Sequence, residues 1–245
     1  MAIQKIKISN FKCFKGLFEI ELNKGLNILV GNNETGKSTI LEAMHIALTG
    51  LYGGRNIRNE LSQYLFNKEV VDSYINSVNN GTVLPPPFIS IEIFFDGSIN
   101  PEYEGNNNSD RAYCEGLKFE ISFNNEKYNS EYNTLISKKS MMSIPIEYYE
   151  ASWTSFARQS VTIRSIPIKS AMIDSSNYRY QNGSDVYISR TTWFIIQKVK
   201  YRIVKNKIKQ IRDHKMSQSI SHLTVSFYFI NISDFFIVSL GALYI

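Results

Sequence analysis

The first residues alternate. In AIQKIKIS, residues 2–9, Ile3, Ile6 and Ile8 mark the apolar side of a strand. LFEIEL, 17–22, alternates again. After a turn at Lys24-Gly25 comes LNILV, 26–30, with almost no polar content, which predicts a strand buried on both faces. From Ser38 to Leu48 the period changes. Ile40, Leu41, Met44 and Leu48 share one helical face, and Gly50, Gly53 and Gly54 end the helix. A second helix is predicted over 60–78, closed by Asn79-Asn80-Gly81. Pro85-Pro86-Pro87 is a stiff extended spacer. FISIEIFFD, 88–96, alternates strictly and predicts a half-buried strand, and LKFEISFN, 117–124, and IPIEYYEAS, 144–152, predict two more. Between 88–96 and 117–124, residues 97–116 carry Asn106-Asn107-Asn108, three glycines and a proline, the composition of a surface loop.

Composition narrows the class. A chain of 245 residues can bury a core as one large or two small domains. With 43% hydrophobic and 20% charged residues it is neither disordered nor collagen-like. Two cysteines, Cys13 and Cys114, are too few for a disulfide framework or a zinc site, and His45, His214 and His222 form no metal-spaced cluster. The first residues contain no signal-peptide apolar run, so a reduced, cytoplasmic protein is expected.

The net charge of +5 is local. From Lys198 to Lys215 there are eight Lys/Arg and one acid, Asp213, a segment charge of +7. The remaining 19 basic and 21 acidic side chains give −2. Tyr201, Val204, Ile208 and Ile211 recur at helical spacing inside this stripe. Two readings fit: a solvated amphipathic helix packed on the domain, or a helix that contacts the phosphate backbone of DNA. After Met216 the character changes again. From 217 to 245 the one formally charged side chain is Asp234. Terminal strands, a membrane span, or sequence foreign to the parent fold are the competing readings. Asp234 weighs against the span, because an acid near its middle costs about 2.5–3.5 kcal/mol. No membrane association is expected. The resulting division is a lobe over 1–216 and an uncharged tail over 217–245.

The chemistry is concentrated in Gly31-Asn32-Asn33-Glu34-Thr35-Gly36-Lys37-Ser38-Thr39, which fits G-x-x-x-x-G-K-[ST]. A buried strand runs into it and a helix runs out, the context the motif requires. Gly31 and Gly36 are expected to take dihedrals closed to other residues. Successive N–H groups then form a nest for phosphate oxygens, and the helix directs about half a positive charge at the same anion. Lys37 adds a full charge towards the β- and γ-phosphates, and Ser38 offers a hydroxyl to Mg²⁺. ATP and Mg²⁺ are therefore the expected ligands. Hydrolysis needs more: an acid on a second strand and a neighbouring glutamate. No run of four apolar residues followed by Asp-Glu occurs. Phe94-Phe95-Asp96 and Met172-Ile173-Asp174 lack the glutamate, and no Leu-Ser-Gly-Gly-type signature is present.

These residues carry a resemblance. IKISNFKCFKG, 6–16, and LNKGLNILVGNNETGKSTILEA, 22–43, resemble the N-terminal head of ABC-type ATPases of chromosome maintenance and DNA repair, among them SMC, RecF and SbcC-type proteins. ELSQYLFNKEVV, 60–71, PPPFISIEIFF, 85–95, and IPIEYYEASWTSFAR, 144–158, look like the OLD family of ATP-dependent endonucleases. The resemblance implies an α/β P-loop NTPase fold of the ABC/SMC-head type: a mixed sheet with antiparallel N-terminal strands, of which this chain holds the first lobe. It implies that Lys12 lies near the phosphates and that Gln159 contacts Mg²⁺ and the attacking water. It also implies head-to-head homodimers around nucleotide. The later acidic motif, the signature and the Toprim nuclease residues of OLD proteins have no counterpart here, so no catalytic residue is assigned. The expected function is ATP and Mg²⁺ binding in a protein tied to DNA cleavage or double-strand break repair. A non-catalytic DNA-binding remnant acting through Lys198–Lys215, and a P-loop kinase, are the alternatives.

Overall fold

The computed structural model describes residues 2–97, 100–174, 225–232 and 235–240. In chain order the strands are β1 (Ala2–Ser9), β2 (Leu17–Glu21), β3 (Gly25–Gly31), β4 (Leu51–Tyr52), β5 (Arg55–Asn56), β6 (Ile89–Asp96), β7 (Glu104–Gly105), β8 (Cys114–Phe123), β9 (Tyr149–Ser155), β10 (Lys169–Asp174), β11 (Val225–Ile232) and β12 (Phe235–Leu240). The helices are α1 (Lys37–Thr49), α2 (Lys68–Asn79) and α3 (Asn125–Ser137).

Alternation in β1 and β2 builds an antiparallel sheet of order β2-β1-β6-β8, with β9 and the short β7 both paired to β8. The register aligns one apolar row across five strands: Phe18, Ile8, Ile91, Phe119 and Trp153. The next row, on the opposite face, is charged and alternates in sign: Glu19, Lys7, Glu92 and Lys118. Opposite charges placed directly across an antiparallel ladder favour this register over a slipped one. A second sheet has the order β10-β12-β11-β3. In it β10 and β12 run parallel and the other pairs antiparallel, so this sheet is mixed.

Helix α1 packs against β1, β6 and β8 of the first sheet and β3 and β10 of the second. Ile40, Leu41, Ala43, Met44, Ile46, Ala47 and Leu48 are all buried on it. Ala43 and Ala47 let the sheets approach where a larger residue would hold them off. The Trp153 indole N–H donates to the Ala47 carbonyl at 2.9 Å, fastening β9 to the helix.

Several sequence expectations change. The β6 strand is not half-buried: every residue from Ile89 to Phe95 is buried. Its polar face is covered by a loop distant in sequence. Glu92 accepts from the Ser109 N–H at 3.0 Å and from its hydroxyl at 2.7 Å. Asp110 of that loop pairs with Lys5 at 2.6 Å and with buried Lys7, and Lys7 also pairs with Glu19 at 3.0 Å. The hydrogen bonds from Lys5 and Lys7 hold the Asp110 carboxyl below its usual range.

The β3 strand departs in the other direction. Ile28 and Val30 are exposed, because the described residues cover only one of its faces. The second helix starts at Lys68, eight residues later than 60, after a single 3-10 turn at Gln63–Leu65. Leu65 and Phe66 are drawn into the core, and Asn67 caps α2 by accepting from the Glu69 and Val70 N–H groups. In the stretch 144–152, residues Ile146–Tyr148 form a 3-10 turn and the strand runs over Tyr149–Ser155. Helix α3 has no apolar period, since only Tyr132 is buried on it, and was not expected. Within the uncharged tail, β11 and β12 are strands. No helix among the described residues is long and apolar enough to cross a membrane. The basic stripe Lys198–Lys215 lies outside the described residues.

His45 on α1 has its Nδ1 sealed from solvent without a partner, and burial pushes its pKa down to about 4. The folded value lies below the unfolded value of 6.5, so the neutral ring contributes stability above pH 6.5 that is lost as pH falls towards 4. The loss should reach at most about 3 kcal/mol. Urea unfolding of the protein and His45→Leu across this range should show a shallower pH dependence for the variant. Parallel curves would contradict the assignment.

Candidate functional site

The site grows from the junction of β3 and α1. Residues Asn32–Gly36 turn the chain between them, with Glu34 at φ +66° and Gly36 at φ +86°. Both are in the left-handed region, which costs a non-glycine residue roughly 1–2 kcal/mol. At Gly36 space is limiting as well. A Cβ there would lie 2.8 Å from the Phe14 ring and 3.0 Å from Cys13 Sγ. Gly31 differs from expectation, because it is not among the positive-φ glycines. Its role is close approach: a Cβ would come 3.0 Å from Thr35 Oγ1.

The Lys37 side chain is buried at 7% exposure and lies under the loop. Its ammonium donates to the Gly31 carbonyl at 2.8 Å, to the Asn32 carbonyl, and to Thr35 Oγ1 at 3.2 Å. The Thr35 hydroxyl in turn donates to the Asn32 carbonyl at 2.9 Å. The loop is thus tied around a cation. Above it is a cavity of about 200 Å³ lined by Cys13, Asn33, Glu34, Thr35, Gly36, Lys37, Ser38 and Thr39. Helix α1 opens onto this cavity with no side-chain cap and no acid in its first turn. The first N–H groups of a helix have no partner within it, so an uncapped N-terminus attracts an anion.

The residues fit a polyphosphate with Mg²⁺. The cradle is built of backbone, its cation is in place, and Ser38 is exposed at the rim as a neutral oxygen ligand. The volume is below the roughly 300–1,000 Å³ of pockets that enclose a whole small ligand. A cavity of this size fits a polyphosphate but not a whole nucleotide.

Lys12 is one residue from the cavity wall. Its φ of +49° turns the chain so that Cys13 reaches the loop, with Cys13 Sγ 3.6 Å from Thr39 Oγ1. The Lys12 backbone is held from both sides: its N–H donates to the Leu65 carbonyl at 2.8 Å, and its carbonyl accepts from Asn67 Nδ2 at 2.8 Å. The ammonium pairs with Glu42 of α1 and lies 4.9 Å above the Tyr52 ring. Burial alone would lower its pKa, but the Glu42 carboxylate outweighs burial and raises it. Gln159 is exposed in the turn after β9 and bonds through its backbone to Ser155, at 2.8 Å and 3.3 Å. It does not line the cavity. Cys13 and Phe14 were missed by sequence reasoning; their adjacency to Asn10-Phe11-Lys12 was the available signal. Asp96 pairs with Lys24 at 2.5 Å.

A family profile described as an AAA domain matches residues 5–240. Two DNA replication and repair proteins RecF are similar. That of Clostridium kluyveri is 36% identical over 97 residues, 40% of this chain and 25% of its own length. That of Clostridium tetani is 35% identical over 75 residues, 31% of this chain and 19% of its own. A DNA double-strand break repair Rad50 ATPase from Methanopyrus kandleri is 46% identical over 46 residues, 19% of this chain and 5% of its own length. The matched stretches thus span a quarter or less of these relatives. A solved structure from work on ATP-driven dimerization and DNA stimulated activation of SMC ATPases aligns with a TM-score of 0.38 and 17% identity, over 85% of this chain and 99% of that one.

The packing of Phe14 and Cys13 on Gly36 makes a test of the loop. Gly36→Ala should lower unfolding stability by about 1–3 kcal/mol in urea titrations, from left-handed strain plus the displaced ring. Adding Phe14→Ala should cost less in the Gly36→Ala background than alone. Strict additivity would show that the ring does not limit the site.

Proposed function

This chain belongs to the AAA domain family, and from that premise we propose that it is a nucleotide-binding ATPase lobe that takes ATP with Mg²⁺ at the loop 31–39. The carrying observation is the buried Lys37, seated below a backbone cradle at an uncapped helix N-terminus. In this reading the N–H groups around Asn33–Thr39 hold the phosphate oxygens, and Lys37 moves from the loop carbonyls to the β- and γ-phosphates. Ser38 ligates Mg²⁺, which offsets phosphate charge. Gly31, Asn32 and Thr35 shape the loop. Lys12 is the second cation within reach. Gln159 is assigned to Mg²⁺ by resemblance alone.

The similarity to RecF and Rad50 supports a place in DNA repair, with DNA and a second head as partners. The basic stripe Lys198–Lys215 is the proposed DNA-binding element, through phosphates. The finer reading, an OLD-like ATP-dependent endonuclease, rests on 60–71, 85–95 and 144–158. Its nuclease residues would belong to a relative longer than this chain. The non-catalytic DNA-binding alternative differs in not requiring nucleotide.

Titration with a fluorescent ATP analogue and Mg²⁺ should show Lys37→Ala binding at least about tenfold more weakly, the scale of one charge-assisted hydrogen bond. Equal affinity would remove the assigned site. Affinity for duplex DNA should fall steeply with salt. Replacing Lys205, Lys207 and Lys209 by Gln should reduce that slope by about 0.9 for each phosphate the protein then fails to neutralise. An unchanged slope would remove the stripe from the interface.

A further inference from the structure

The ion pair between Lys12 and Glu42 is the feature that phosphate binding leaves unexplained. Glu42 lies on α1 one turn beyond Ser38 and Thr39, at i+4 and i+3, so the three share one helix face. Cys13 and Lys12 run along that face together: Cys13 Sγ sits against Thr39, and the Lys12 ammonium against Glu42. The Glu42 backbone is about 6 Å along the helix axis from that of Ser38, four residues at 1.5 Å each. The lysine backbone is clamped at its N–H and its carbonyl, so only the flexible side chain can change position. Both partners are largely shielded, with side-chain exposures of 25% and 28%.

Resting on the P-loop reading, we propose that Glu42 is an electrostatic latch on the nucleotide site: it holds Lys12 away from the phosphates and competes with them for its ammonium. Tyr52 is the rest on which the latched ammonium sits. A polyphosphate with Mg²⁺ draws Lys12 off Glu42 by offering more charge at the end of the same helix face. Nucleotide affinity is then set below what the cradle alone would give. Glu42 is a positioning residue in this scheme and does not touch the ligand.

A double-mutant cycle tests the latch with a fluorescent ATP analogue and Mg²⁺ on the full chain. Glu42→Gln should bind about three- to tenfold more tightly, up to the scale of the one charge-assisted hydrogen bond that the freed Lys12 ammonium makes to phosphate. Glu42→Asp, which retracts the carboxylate by one methylene, should fall between and serves if Glu42→Gln does not fold. In a Lys12→Met background the gain from Glu42→Gln should shrink to less than about twofold, because no ammonium is left to release. A simple loss of packing would weaken binding instead and would show in thermal unfolding. Unchanged or weaker binding by Glu42→Gln overturns the latch. An equal gain in both backgrounds also overturns it, by showing plain repulsion without competition for Lys12. If the unsubstituted protein binds no nucleotide, the P-loop reading fails and the latch falls with it; binding with an additive cycle sinks the latch alone.

Discussion

Helix α1 is held between two sheets, and nearly everything else follows from that constraint. A surface helix buries one stripe. This one buries Ile40, Leu41, Ala43, Met44, Ile46, Ala47 and Leu48, which together cover most of its circumference. Each large apolar side chain so buried contributes about 1.5–3 kcal/mol of transfer free energy before entropy is counted. A helix gripped on both sides cannot rotate or slide without opening a core, so its N-terminus is fixed in direction. The loop 32–36 that leads into it inherits that fixity. Strain at Glu34 and Gly36 is tolerable because both ends of the loop, β3 and α1, are anchored.

The first sheet is organised to present its apolar row to that helix, and its other face is far from idle. The charged row Glu19, Lys7, Glu92 and Lys118 would lose energy if simply buried. The loop carrying Ser109 and Asp110 resolves this by supplying an N–H, a hydroxyl and a carboxylate to Glu92, Lys5 and Lys7. That arrangement also explains why a segment composed like a loose surface loop is pinned to the sheet. The turn Asn10–Lys12 makes a comparable bridge on the other side. It joins β1, the cap of α2 and the face of α1 through Asn67, Leu65 and Glu42.

Legibility in the sequence followed locality. Strand β1 and helix α1 were readable within a residue or two, since an alternation or a 3.6 period is visible in the segment itself. The loop 31–39 was readable for a similar reason: its donors, cation and hydroxyl are contiguous in the chain. The start of α2 was not. Leu65 and Phe66 look periodic with the helix that follows, but the core draws them out of it and Asn67 takes the cap. Helix α3 buries Tyr132 alone and so carries no pattern to find. The burial of β6 on its polar face depended on Ser109, seventeen residues away, and no local period encodes that pairing.

By itself, the sequence determined the kind of chemistry. Gly31 to Thr39 set backbone donors, a lysine and a hydroxyl together at a strand-to-helix turn, because groups contiguous in the chain need no distant partner to meet. Tertiary structure decided what surrounds that turn. It seated Lys37 against the Gly31 and Asn32 carbonyls, brought Cys13 and Phe14 over Gly36, and matched Lys12 with Glu42 thirty residues on. It also assigned Gly31 to close approach rather than to an unusual dihedral, and left Gln159 in a turn outside the cavity. The physical reason is the same in each case. Charge and packing act through space, and residues far apart in the chain meet only where the fold brings their elements together.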